Sequence, residues 1–99
     1  MLKKIIIIFA MASSATLAKA DPHYCEKVGN LAEWVMKARQ SNMPMSQIMK
    51  EVGDDGLALA IVRDAYSVPR FLSSEWIDNA IMDFRNDAEL VCYNSRKNN

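Results

Sequence analysis

Apolar residues recur at helical spacing through nearly all of the chain beyond residue 20, and nowhere alternate long enough to suggest a strand. The clearest run is Ser73 to Tyr93, where apolar residues fall at 77, 80, 81, 84, 88, 91 and 92 with no Gly or Pro inside. This predicts a long closing helix with one buried face, capped by Ser73 and carrying Glu75 in its first turn. A second stripe, Tyr24, Val28, Leu31, Val35 and Ala38, widened by Ala32 and Met36, predicts a first helix ending near Gln40. Asp21 is its expected N-cap and Pro22 its first residue. Glu26, Asn30, Glu33, Lys37 and Gln40 lie opposite the stripe. Gly29 sits on its flank, where it permits close packing, and Trp34 projects off it.

Ser41-Asn42-Met43-Pro44 turns the chain, and Ser46 is placed to cap a short helix, Gln47 to Val52, ended by Gly53. Asp54 or Asp55 then caps a helix from Leu57 to about Ser67, stopped by Val68-Pro69. That segment is apolar almost all round, so it is expected to be the central, most enclosed helix, with the closing helix as its lid. Arg70-Phe71-Leu72 is a short crossing, and the polar tail from Asn94 to Asn99 is expected to fray. The fold class expected is all-α: a compact bundle of three main helices plus one short helix.

The first twenty residues change the picture. A basic start (Lys3, Lys4), an apolar run and the small-residue ending Ala18-Lys19-Ala20 read as a secretory signal peptide, cleaved after Ala20 or alternatively after Ala18. The apolar run falls short of the roughly 20 residues needed to span a bilayer, so no stable membrane insertion is expected after cleavage. Residues 21–99 then form one small domain in the periplasm, with full secretion as the alternative. Loss of Lys3, Lys4 and Lys19 leaves 9 Lys+Arg against 12 Asp+Glu, a net charge of −3. That balance argues against nucleic acid as a partner.

A domain this short buries a limited core and calls for a covalent staple. The chain has two cysteines, Cys25 and Cys92. In an exported protein they read as one structural disulfide tying the first helix to the last. They are not a Cys-x-x-Cys pair, so redox catalysis is disfavoured.

Few residues suggest other chemistry. The single histidine, His23, has no nucleophile motif or Gly-rich phosphate loop to work with. Asp21-Pro22-His23 has the spacing of an amino-terminal copper or nickel site, but Pro22 has no N–H to deprotonate. Met43-Pro44-Met45 with Met49 offers soft thioethers for cuprous ion, yet too few of them, and reads better as a flexible partner-binding patch. No catalytic residue, resident metal or cofactor is therefore expected. Asp64, on an otherwise apolar helix side, is expected to pair with Arg70, and Asp83 and Asp87 to hold an arginine.

Cys25 on an amphipathic helix, Ala38-Arg39-Gln40 before the Pro44 turn, and Ala65-Tyr66 followed by Pro69 set one pattern. The closing Ala80-Ile81, Phe84-Arg85-Asn86 and Cys92-Tyr93 complete it. It resembles small exported helical proteins of phages and prophages of Gram-negative bacteria, over most of the mature chain. The resemblance is one of packing and turns and implies no activity. In build the chain is also similar to periplasmic immunity proteins and small acid-stress chaperones, without a specific motif of either. The expected function is a non-enzymatic interaction module for another periplasmic or envelope protein: an inhibitor, an immunity-like protein or a phage-encoded envelope modifier. Trp34, Met43, Met45 and Trp76 are the candidate contact residues. An acid-stress-type chaperone is the alternative, and a small metal carrier or enzyme ranks below it.

Overall fold

A computed structural model describes residues 21–97; the expected signal segment, residues 1–20, and the last two tail residues lie outside them. Four helices follow in order: α1 (Tyr24–Gln40), α2 (Met45–Val52), α3 (Gly56–Ser67) and α4 (Ser74–Lys97). Three main helices, one short one and a single disulfide make up the all-α bundle. Among the described residues no helix is long and apolar enough to cross a membrane.

Local chemistry sets the helix ends. Asp21 does not cap α1 directly. Its Oδ1 accepts from the His23 N–H at 2.9 Å and its carbonyl from the Tyr24 N–H at 3.0 Å. The resulting Pro22-His23 turn starts the helix at Tyr24. At the other end Asn42 adopts φ 66°. The Asn42 N–H donates to Arg39 O at 3.1 Å and the Met43 N–H to Ala38 O at 3.0 Å. This is a Schellman closure in which asparagine takes the left-handed position usually held by glycine.

Ser46 does not cap α2. The helix begins two residues earlier than expected, at Met45, with the Pro44 carbonyl accepting from the Gln47 N–H at 3.0 Å. Gly53, at φ 68°, ends it. Asp55 caps α3, its Oδ1 accepting from the Ala58 N–H at 3.0 Å. Extended Val68 before Pro69 stops α3. Ser73 caps α4, its Oγ accepting from the Trp76 N–H at 3.3 Å.

The expected frayed tail is instead helical as far as Lys97. The Arg96 Nη1 donates to the Asp21 carbonyl at 3.0 Å, which ties this last turn to the start of the domain.

The centre of the bundle is α1, not α3. Eight positions of α1 are buried: Cys25, Val28, Gly29, Ala32, Val35, Met36, Ala38 and Gln40. In α3 four are buried, Ala58, Ile61, Val62 and Ala65, while Leu57 and Ala60 face solvent. The reason is topological. Helix α1 packs against α4 on one side and against α3 and α2 on the other, whereas α3 meets only α1 and α2 extensively. Of the apolar residues of α3 only Leu57, in its first turn, and Ala60 are exposed. Helix α4 is accordingly a flank of α1 and not a lid on α3.

Small residues let α1 and α4 approach closely. Gly29 is buried beneath the Glu89 side chain, and a Cβ there would lie 2.6 Å from Glu89 Cγ. Ile77, Ala80, Ile81, Phe84, Ala88 and Cys92 face the seam. Val91, expected on the buried stripe, is 69% exposed. Cys25 and Cys92, 67 positions apart in sequence, are joined with Cα atoms 5.5 Å apart. In the chain-entropy view such a closure stabilises the fold by on the order of 4 kcal/mol.

Candidate functional site

The most distinctive surface forms where α3 hands over to α4, and it is built from the end of α1. Arg39 and Gln40 are consecutive, and both reach into the crossing segment. Arg39 Nε donates to Val68 O at 2.9 Å. Gln40 Nε2 donates to Pro69 O at 3.0 Å, and Gln40 Oε1 accepts from the Phe71 N–H at 2.9 Å. The primary amide thus pairs with backbone on both sides of Arg70, as a neighbouring strand would. Gln40 is only 5% exposed, although its helical position had suggested the polar face.

Tyr66 completes the clamp. Its hydroxyl donates to Met43 O at 2.7 Å, joining α3 to the α1–α2 turn. The Arg39 guanidinium lies over the Tyr66 ring, 5.4 Å from its centroid. Burial pushes the Tyr66 hydroxyl pKa up, and the Arg39 charge pulls the other way. The phenol is therefore a neutral donor at physiological pH.

The clamped backbone presents an apolar corner. Leu72 is 100% exposed and Trp76 62% exposed. The Phe71 and Trp76 rings stack with centroids 6.0 Å apart and planes inclined at 29°. Arg70, Phe71, Leu72, Ser73 and Trp76 line an open concavity of about 450 Å³. Burying Leu72 and the Trp76 face against a partner would release a few kcal/mol of hydrophobic free energy.

The expected contact residues separate. Trp76 belongs to this corner. Trp34 is 43% exposed on α1. Met43 and Met45 are half-buried and pack against the core, as does Met49. The Met43 carbonyl is occupied by Tyr66, so this turn is fastened and does not form a flexible methionine patch. Leu72 carries the corner and was not anticipated. The available signal was an Arg-Phe-Leu crossing squeezed between a helix-stopping Pro69 and a capping Ser73.

The expected ion pairs also rearrange. Asp64 and Arg70 are both exposed and make no ion pair with each other. Arg70 points outward because Pro69 and Phe71, on either side, are held against Gln40. Asp83 and Asp87 are exposed and do not hold Arg85, which turns towards α1. Its Nη1 donates to Asn30 Oδ1 at 2.7 Å and to Glu33 Oε1 at 2.9 Å, and its Nε lies 3.5 Å from Glu89 Oε2.

Lys37 and Arg85 together hold the Glu33 carboxyl below its ordinary range. Asp21 is likewise lowered by Lys27, at 2.8 Å, and by the His23 N–H. His23 is exposed, with Nδ1 3.2 Å from Glu26 Oε2. Among the described residues no three His, Cys, Asp or Glu side chains converge as a metal site.

The arrangement offers an exposed hydrophobic contact with a cationic rim at Arg70. Comparison with protein-family models, with curated proteins and with solved structures finds no match for this chain.

Proposed function

We propose that this chain is an exported, non-enzymatic interaction module that acts on another protein of the periplasm or envelope, as an inhibitor, an immunity-like protein or a phage-encoded modifier. The single observation that carries this reading is Leu72. A wholly exposed leucine stands on backbone fastened by Arg39 and Gln40, beside the stacked Phe71–Trp76 pair. Backbone held in place before binding loses little entropy on docking, which is the economy expected of a recognition element. Tryptophan beside it is a common anchor residue at protein interfaces. Export is supported by the leader-like first twenty residues and by a disulfide that persists in an oxidising compartment.

The test is affinity capture from periplasmic extract on the mature, oxidised chain, run beside Leu72→Asp and Trp76→Ala. A partner retained by the parent and lost from both variants supports the corner as the docking edge. Equal capture by all three sinks it.

A chaperone that loosens in acid is the second reading, favoured by the way α4 is held. Its extensive contacts are with α1, and the Glu33–Arg85 pair on that seam is sensitive to protonation. The covalent link at Cys92 would keep an opened α4 attached. Reversible loss of tertiary structure between pH 2 and 3 with suppression of client aggregation is its required signature; a client-inert, folded chain at that pH excludes it.

A further inference from the structure

A second apolar surface lies on the outer face of α4, away from the docking corner. Of the large apolar side chains in solvent, Trp76, Met82, Leu90, Val91 and Tyr93 all belong to this one helix. Met82, Leu90 and Tyr93, spaced i, i+8 and i+11, fall within roughly 80° of one another at about 100° per residue. Asn79 and Asn86 lie in the same sector, directly opposite the side that packs on α1. The stripe runs for about 17 Å along the helix from Met82 to Tyr93. Among the described residues no other helix covers it.

The charges beside the stripe decide what fits. Asp78 lies on one flank, and Asp83 and Asp87 on the other, with Glu75 at its start; all four are exposed. None forms an ion pair among the described residues. The arginine within the stripe's span, Arg85, is turned to the seam and engaged by Glu33 and Glu89. The face therefore carries exposed apolar side chains, interrupted by Asn79 and Asn86, with unpaired acids at its start and along the Asp83–Asp87 flank.

Two copies of α4 laid face to face would set acid against acid, which disfavours pairing through this surface. An anionic lipid surface is repelled for the same reason. Side chains at three- and four-residue spacing form ridges that accept another helix, and the surface has no strand edge to extend.

We propose that the outer face of α4 binds a cationic amphipathic helix of a partner protein. Its apolar side would lie on Met82, Leu90 and Tyr93, and its Lys or Arg residues would meet Asp78, Asp83 and Asp87. This site is separate from the corner at Leu72 and does not depend on it.

The probe is a synthetic Leu/Lys amphipathic helix of about 18 residues, long enough to overlay the stripe. Its binding to the mature, oxidised chain is followed by fluorescence anisotropy. The expected result is saturable one-to-one binding that weakens with salt. It falls about tenfold or more in Met82→Ser/Leu90→Ser and in Asp83→Lys/Asp87→Lys, and is unchanged in Leu72→Ser. All these positions are exposed, and circular dichroism verifies that each variant keeps its helix content.

Several results overturn the proposal. They are no saturable binding, equal binding by the variants, or equal affinity for a Leu/Glu peptide of the same pattern. Self-association abolished by Leu90→Ser assigns the face to a second copy, and flotation with phosphatidylglycerol vesicles assigns it to lipid. Loss of binding in Leu72→Ser alone returns the peptide to the docking corner.

Discussion

The α1–α4 pair is anchored at both ends, by opposite kinds of chemistry. At one end Cys25 and Cys92 are joined covalently. At the other, Gln40 and Arg39 hold the crossing that leads into α4 through neutral and charge-assisted hydrogen bonds to backbone. The covalent anchor stabilises mainly by restricting the unfolded chain, and it needs only that two Cα atoms come within reach. The amide anchor stabilises only when the fold is complete, because its value depends on leaving no buried polar group unpaired. The first retains α4; the second positions it. The proposed docking corner belongs to the second anchor, since the exposed Leu72 and the Trp76 ring stand on the backbone that Gln40 fixes.

The comparison is tested most severely by removing the disulfide. Cys25→Ser/Cys92→Ser should lose on the order of 4 kcal/mol in urea unfolding. If the remaining seam holds α4, the variant will still be helical in dilute buffer. A loss below about 1 kcal/mol would mean that the unfolded chain is already restrained by other means.

The amide anchor comes next. Gln40→Leu removes both bonds and leaves the Pro69 carbonyl and Phe71 N–H without partners, at a cost of about 2 kcal/mol. It should also weaken partner capture through Leu72, although Gln40 itself is buried and touches no partner. Stability loss without any change in capture would show that the corner does not need its clamp.

Acid acts on the seam between the anchors. Glu33 is depressed below its ordinary value of 4.5 by Lys37 and Arg85. The stability it contributes is present above that unfolded value and is lost as pH falls through the lower folded value. Asp21, paired with Lys27, follows the same sign from its ordinary 3.8. Thermal midpoints should therefore be flat near neutrality and decline below about pH 4.5. Glu33→Gln should make that decline shallower. An equally steep profile in the variant would remove Glu33 as a cause.

The smallest effect is expected at Gly29→Ala. The new methyl collides with Glu89 Cγ, but Glu89 is flexible and can swing outward, giving up its 3.5 Å approach to Arg85. The gain in helix propensity, up to about 1 kcal/mol, opposes that loss, so the net change should stay within about 1 kcal/mol either way. A larger destabilisation would show that the backbones, and not just one side chain, set the α1–α4 spacing.

The fold was far more legible than the candidate site. Ser73, Gly53 and Val68-Pro69 act within a few residues of themselves, so their roles as caps and stops could be read directly, whereas the choice between Asp54 and Asp55 stayed open. Cys25 and Cys92 had no alternative partner. The corner was not legible because its parts lie far apart along the chain. Gln40 is separated by 31 positions from the Phe71 N–H that it accepts. A helical wheel assigns Gln40 to the polar side and cannot know that a loop will be laid over it. The same holds for Arg85, whose partner Glu33 is 52 positions away.

By itself the sequence determined four helices, most of their ends and the single covalent tie, because caps, turns and apolar spacing are local and the cysteine pairing has one solution. Only the tertiary structure decided that α1 is the centre, that Gln40 is buried, and that Leu72 and the outer face of α4 remain in solvent. Burial is a property of what lies opposite a side chain, and for each of these residues that depends on how distant segments are placed.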